Sequence, residues 1–264
     1  MYGQCGISKH CPVEPVQTLI RERMMNIPQS PTLPIHSVIG CLSSVKDKYV
    51  VKSIDTEMVK EWCLKKHYAK KMPSVIQYTF GCFNDKNIMV GVAVFGLAGN
   101  SNLNELNGIP IIELTRLVLN DEKQKNTTSY FVAQCLKMLP HKGFVISFAD
   151  ANQKHNGYIY QATNWIYTGE SAAAEVYTNG KIEMHSKTFS DKYGRRDKAF
   201  AESVGFSIEK KQPKHRYFFI LGNKTERKKY KAELLKQYEI KPYPKGKNEN
   251  YDSSYKPVIQ MQLF

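Results

Sequence analysis

The chain has 264 residues, 42% hydrophobic and 23% charged, a balance that suits a folded protein with a full core and excludes a disordered chain. No run of 18 apolar residues is present, so no membrane-spanning helix is expected. The net charge of +14, from 38 Lys and Arg against 24 Asp and Glu, points to a polyanionic partner, nucleic acid being the commonest.

The first residues, MYGQCGISKHCPVEP, lack a basic stretch followed by an apolar one, so no secretory leader is expected and the cytoplasm is the expected location. Residues 1–45 carry Pro, Ser and isolated hydrophobes, which reads as an extended arm with one short helix around Val16–Met25. YVVKSI is a strand. DTEMVKEWCLKKHYAKK then gives a helix capped by Asp55, with Met58, Val59, Trp62 and Cys63 at helical spacing, running to Pro73. SVIQYTFGCFND and NIMVGVAVFGLA form a hairpin around Asn84–Asn87.

IIELTRLVLND is a further strand, and TTSYFVAQCLKMLP an amphipathic helix with Phe131, Cys135 and Met138 on one side. GFVISFAD is a strand and GYIYQATNW a helix. A β-rich part follows, with a hairpin turn at Asn179-Gly180 and the strand HRYFFILG. The basic helix TERKKYKAELLKQY and a loose tail close the chain. The fold class expected is α/β (α+β), one mixed, mostly antiparallel sheet with helices on both faces. The expected domains are the arm 1–45, a catalytic domain 46–222 and a basic helix and tail 223–264.

Six cysteines (5, 11, 41, 63, 82 and 135) include no CxxC pair, and Cys63, Cys82 and Cys135 lie in apolar segments. They read as small reduced hydrophobes in place of a disulfide framework or a zinc site. Between Glu209 and Glu249, 13 Lys and Arg stand against 5 Asp and Glu, so +8 of the charge is clustered there. Lys214, His215, Arg216, Arg227, Lys228 and Lys229, interleaved with Tyr217 and Tyr230, are the candidate nucleic-acid contacts. GRRDK at 194–198 is a second candidate; the alternative for each is a solvated basic face.

Chemistry is carried by two stretches. In ELTRLVLNDEKQKNTTSYFVAQC a strand enters a polar loop and Thr127, Thr128 and Ser129 open a helix, whose free amides suit an anion or need only a cap. In FADANQKHNGYIYQATNWIYTG a buried strand ends on Asp150 and a helix begins with Tyr158 and Tyr160, which cannot share one face. The first stretch resembles the GNAT acetyltransferase superfamily, with Gln124-Lys125-Asn126-Thr127-Thr128-Ser129 where that superfamily has its glycine-containing pyrophosphate loop. Thr127 and Ser129 would crowd a pyrophosphate there, which disfavours acetyl-CoA.

A closer resemblance spans Lys65–Tyr230. KKHYAKKMPS, ELTRLVLND, FADANQKHNGYIYQATNWIYTG and KHRYFFILGNKTERKKY occur in the order found in the Mom family of phage DNA-modification enzymes. That resemblance implies conversion of adenine in double-stranded DNA to N6-carbamoylmethyl-adenine, which shields phage DNA from restriction enzymes. It implies site residues at His67, Tyr68, Arg116, Ser129, Asp150 and Tyr160, with Thr128 beside Ser129 on the donor side. Asp150 then serves as general base or orients the amine, or simply caps its loop as an Asx-turn. Tyr68 and Tyr160 donate a proton or stack on a flipped base, or are packing. Arg116 needs a partner, for which Asp150, Glu113 or an anionic donor group are candidates.

The donor of the carbamoylmethyl group, small or carrier-bound, is unknown from the sequence. The resemblance also brings in iron, with His67, Tyr68 and Asp150 as a sparse ligand set beside the usual two His and a carboxylate. Oligomeric state is not legible. An acyl-CoA-dependent N-acetyltransferase and a non-enzymatic basic DNA-binding protein are the alternative functions.

Overall fold

A computed structural model of the chain describes residues 44–121 and 123–246. Residues 1–43 of the expected arm, with its helix around Val16–Met25 and with Cys5, Cys11 and Cys41, lie outside the described residues, as does the end of the tail.

Chain order begins with a four-residue helix α1 (Val45–Lys48) and strand β1 (Tyr49–Ser53). Helix α2 (Thr56–Glu61) continues into a wider π-helical turn, Trp62–Lys66. The helix therefore does not run to Pro73 as expected: His67 is already extended, at φ −70° and ψ 138°. The wide turn buries Trp62, Cys63 and Lys66.

Strands β2 (Ile76–Asn84) and β3 (Met89–Gly96) form the expected hairpin, with Asn84 Oδ1 accepting from the amides of Lys86 and Ile88. A short β4 (Glu105–Leu106) precedes the long β5 (Ile109–Leu119). Helix α3 (Thr127–Met138) follows, then β6 (Gly143–Asp150) and the short α4 (Tyr158–Ala162). On α3 the buried stripe is Thr127, Phe131, Val132, Cys135 and Leu136, while Met138 is 42% exposed and lies off it.

After β7 (Ile166–Glu170) the chain leaves the main sheet. Strands β8 (Glu175–Thr178) and β9 (Glu183–His185), helices α5 (Ser186–Tyr193) and α6 (Lys198–Ser203), and β10 (Ser207–Lys210) build a separate unit. Its own core holds Tyr177, Met184, Phe189, Ala201 and Phe206. The chain returns through β11 (Lys214–Leu221) and helix α7 (Lys224–Gln237), started by an Asn223–Glu226 capping box.

The main sheet has eight strands in the order β1-β2-β3-β5-β6-β11-β7, with β4 pairing β5. Only β5 and β6 among these neighbours are parallel. The mixed, mostly antiparallel sheet is thus as expected, but the segment 175–210 forms a three-stranded sheet of its own, β10-β8-β9. Helices cover both faces. Phe131, Val132 and Cys135 of α3 join Phe80, Phe95, Ile112, Leu114, Val145 and Tyr217 on one side. Val59 and Trp62 join Val92, Val94 and Val118 on the other. Leu234 of α7 packs with Ile111, Phe144, Ile146 and Phe218, so the basic helix shares the core of the sheet.

Candidate active site

The parallel ladder between β5 and β6 is three residues long: Ile111, Ile112 and Glu113 face Phe144, Val145 and Ile146. Beyond it β5 stays with β3, and β6 stays with β11 to the pair Asp150–Lys214. The sheet therefore forks after Glu113. A bulge at Thr115 places Arg116 opposite Val94 while Leu114 faces Phe95, so the β5 side chains shift their facing where the fork opens.

A cleft of about 630 Å³ fills the fork. Its walls come from both faces of the sheet. On one side stand Thr127, Thr128, Ser129 and Tyr160; on the other stand Lys66, His67, Glu113, Arg116, Lys214 and His155. Tyr68 lies at a tilted 4.4 Å from the His67 ring and edge-on to His155.

His67 is buried, and its Nδ1 accepts the Ala69 amide at 3.1 Å. A nitrogen that accepts carries no proton, so Nε2–H is the tautomer and the ring is a donor. Burial, followed by the charges of Arg116, His155 and Lys214, pushes its pKa down to about 3. The imidazole stays neutral.

Arg116 gives Nε and Nη2 to the Lys71 carbonyl at 3.1 and 2.9 Å, and Nη1 to the Thr115 carbonyl at 2.7 Å. Its hydrogen-bond partners here are carbonyls, which hold the 67–71 segment against β5 and leave its positive charge in the cleft. Glu113 feels that charge. Burial raises the Glu113 carboxyl above its ordinary value, while Arg116 and Lys214 pull it partly back.

Asp150 ends β6 and is buried. Its Oδ1 accepts both the Asn152 amide at 3.0 Å and Asn152 Nδ2 at 2.9 Å, and Oδ2 lies 3.3 Å from Lys214 Nζ. The bond to the amide two residues on is an Asx-turn, so the loop-capping geometry is present. Burial works to raise this carboxyl, but the Asn152 hydrogen bonds and Lys214 outweigh it and hold it below the ordinary carboxylate value.

Tyr160 is buried against Trp165 and Tyr217, with its hydroxyl 2.8 Å from Ser147 Oγ. Burial pushes its pKa up to about 12. Tyr158, two residues earlier, is 66% exposed at the cleft mouth. Gly157 starts this helix at φ 76°, and a Cβ there would lie 2.4 Å from the Tyr217 ring. Ser129 Oγ turns back to the Asn126 carbonyl at 2.9 Å and Thr127 Oγ1 to Gln124 at 2.7 Å, so both hydroxyls brace the loop that enters α3.

The structure therefore gathers His67, Tyr68, Arg116, Thr128, Ser129 and Tyr160 around one cleft, with Asp150 behind Lys214. It distributes the expected nucleic-acid residues otherwise. Lys214 lines the cleft. His215 Nδ1 is 2.9 Å from the Tyr167 hydroxyl. Arg216 donates to Thr168 and stacks 4.3 Å over Tyr238. Arg227, Lys228 and Lys229 are exposed on α7, next to Glu226, which pairs with Lys142 at the starting end of β6. Asp150 stands at the other end of that eight-residue strand, roughly 20 Å away. Arg195 and Arg196 are exposed in the three-stranded unit. That unit leaves β7 and rejoins β11 beside Asp150, as the Ser171–Lys214 and Asn152–Gln212 hydrogen bonds show.

From the sequence, Glu113 is named only as a candidate partner of Arg116, and Lys66 is not singled out. A single acid among Ile and Leu gives no motif; its meaning comes from the fork, a tertiary feature. As for iron, no group of three His, Cys, Asp or Glu comes together among the described residues. His67 offers a protonated Nε2, and Asp150 is committed to Asn152 and Lys214. These donors do not fit a His and carboxylate metal site.

The forked mixed sheet and the cleft that fills its fork define the chain as an α/β protein with a pocket between two diverging strands. Residues 48–245 match the Mom protein family, and the chain belongs to it. The methylcarbamoylase Mom of Escherichia phage Mu is similar, with 27% identity over 213 residues, 75% of this chain and 86% of that protein. Among solved structures, the spermidine/spermine N-acetyltransferase SpeG of Vibrio cholerae aligns with a TM-score of 0.39 at 8% identity, covering 72% of this chain and 98% of that one. Arabidopsis thaliana NAA60, in complex with acetyl-CoA, gives 0.37 at 6% identity, over 66% and 99%.

Proposed function

We propose that the chain is a DNA-modifying transferase that converts adenine in double-stranded DNA to N6-carbamoylmethyl-adenine and so protects phage DNA from restriction enzymes in the host cytoplasm. The observation that carries this reading is the cleft through the fork, open to both faces of the sheet, in a member of the Mom family. One side takes the donor of the carbamoylmethyl group, against Thr128, Ser129 and the start of α3. The other takes a base extracted from the duplex, because adenine N6 is out of reach within the stack.

Each residue has a task in this reading. Tyr68 stacks on the flipped base, and the His67 Nε2–H donates to an acceptor on it. Arg116 fixes the segment that carries both and adds positive charge, which favours a leaving group departing as an anion. Asp150 orients Lys214, and Tyr160 forms the floor between the two halves. Arg195 and Arg196, exposed on the three-stranded unit, contact DNA phosphates.

Adenine modified at N6 should block endonucleases whose sites contain adenine. Plasmid DNA from cells producing the chain is expected to resist such enzymes, while DNA from cells without it is cut. Complete cleavage of both would remove this reading.

A further inference from the structure

Proton removal from the adenine amine needs an acceptor, because the N6 lone pair is delocalised and the nitrogen becomes nucleophilic only as its proton leaves. The cleft is lined by two carboxylates among the described residues, Glu113 and Asp121. Asp121 is exposed beyond the end of β5, on the way to the α3 loop. Glu113 is half-buried at the last rung of the parallel ladder, where the two halves of the cleft meet.

Three other groups at or beside the cleft are already committed. Asp150 accepts two hydrogen bonds from Asn152 and pairs with Lys214. His67 already holds the Ala69 amide on Nδ1 and its proton on Nε2, so it has no lone pair to offer. Tyr160 is a buried phenol bonded to Ser147.

We infer that Glu113 is the proton acceptor of the transfer, receiving the N6 proton of the flipped adenine. This rests on the function proposed above. The donor class it requires is a carbamoylmethyl group joined through its methylene carbon to a leaving group X. The N6 lone pair forms the C–N bond to that carbon, and the C–X bond breaks with its electron pair departing on X. The N6–H electrons remain on nitrogen as the proton passes to the Glu113 carboxylate. Glu113 then returns the proton to X or to water, so the balance is one amine and one X–CH2–CO–NH2 giving the substituted amine and HX. Burial raises the Glu113 carboxyl and so strengthens it as a base, while Arg116 and Lys214 pull it partly back.

The test compares DNA nucleosides from cells producing wild type, Glu113→Gln, Glu113→Asp and Asp150→Asn, with the purified proteins assayed for duplex binding and melting. For Glu113→Gln, adduct about 100-fold below wild type is expected, with duplex affinity and melting unchanged. Adduct at the wild-type level in a folded Glu113→Gln overturns the assignment. So does loss in Asp150→Asn alone, which would make Asp150 the base. If Glu113→Gln does not fold, Glu113→Asp decides: about tenfold less adduct supports the role, and no change overturns it. A wild-type sample without adduct is a separate failure, one that removes the proposed function and this inference with it.

Discussion

Ser147 Oγ lies 2.9 Å from the Leu114 carbonyl, across the point where the sheet forks. The parallel ladder ends one residue earlier on each strand, so this hydroxyl supplies the bond that the Leu114 carbonyl would otherwise have found in a neighbouring strand. With its single proton given to Leu114, Ser147 accepts the Tyr160 hydroxyl at 2.8 Å. The fork and the cleft floor are thereby tied together.

Replacing Ser147 with Ala leaves a buried carbonyl and a buried phenol without that partner. The expected cost is about 1–3 kcal/mol of folding stability, read as a lower denaturant midpoint with an unchanged slope. A midpoint equal to wild type would mean that the fork is held by other contacts.

His67 gives a pH signature. Its folded pKa of about 3 lies below the ordinary 6.5, so the unfolded chain binds the extra proton first. Stability from this group is full above pH 6.5 and is lost as pH falls from 6.5 toward 3. Asn at this position can still accept the Ala69 amide and does not titrate. His67→Asn is therefore expected to flatten the fall in melting temperature across that window; an unchanged slope would place the titration elsewhere.

Arg116 binds two carbonyls through three nitrogens, a fork that Lys cannot reproduce. Arg116→Lys keeps the charge but releases the Lys71 carbonyl and the segment behind His67 and Tyr68. Modification should fall by about tenfold or more, as expected when positioning is lost, with duplex affinity within twofold. Retained activity would show that charge alone suffices.

The two arginines of the three-stranded unit and the three basic residues on α7 should differ in duplex binding. Arg195→Ala with Arg196→Ala is expected to weaken affinity evenly across sequences and reduce the salt slope by about one for each phosphate no longer neutralised. Arg227, Lys228 and Lys229 replaced by Ala should have the smaller effect, being roughly 20 Å from Asp150 along β6. The reverse order would move the DNA path to α7.

The parts of the fold written in local pattern were legible. Apolar runs gave β5 and β6, Asn84 and Asn87 gave the hairpin turn, and the apolar spacing of Phe131 and Cys135 gave α3. The helix at 56–66 was overrun because its basic end, Lys65 to Lys71, looks helical, whereas the fold ends it with a π turn that buries Trp62 and Lys66. Helices α5 and α6 carry few apolar residues and no clear period, with Phe189 and Ala201 as their buried anchors. At the site, His67, Tyr68, Arg116 and Tyr160 were found through family motifs. Glu113 lies within one of those motifs but reads only as a partner for Arg116, because only the fork distinguishes it from any strand acid. Lys214 and Arg216 read as phosphate contacts by charge, yet two-residue spacing on β11 puts both on one face, toward Asp150 and Tyr238.

The most direct test of the account is nucleoside mass spectrometry of DNA from cells producing the chain, compared with cells lacking it. A deoxyadenosine heavier by one carbamoylmethyl group, present only with the chain, is the predicted result. Unmodified deoxyadenosine in cells that contain the folded protein, or an acetylated base in its place, would contradict it.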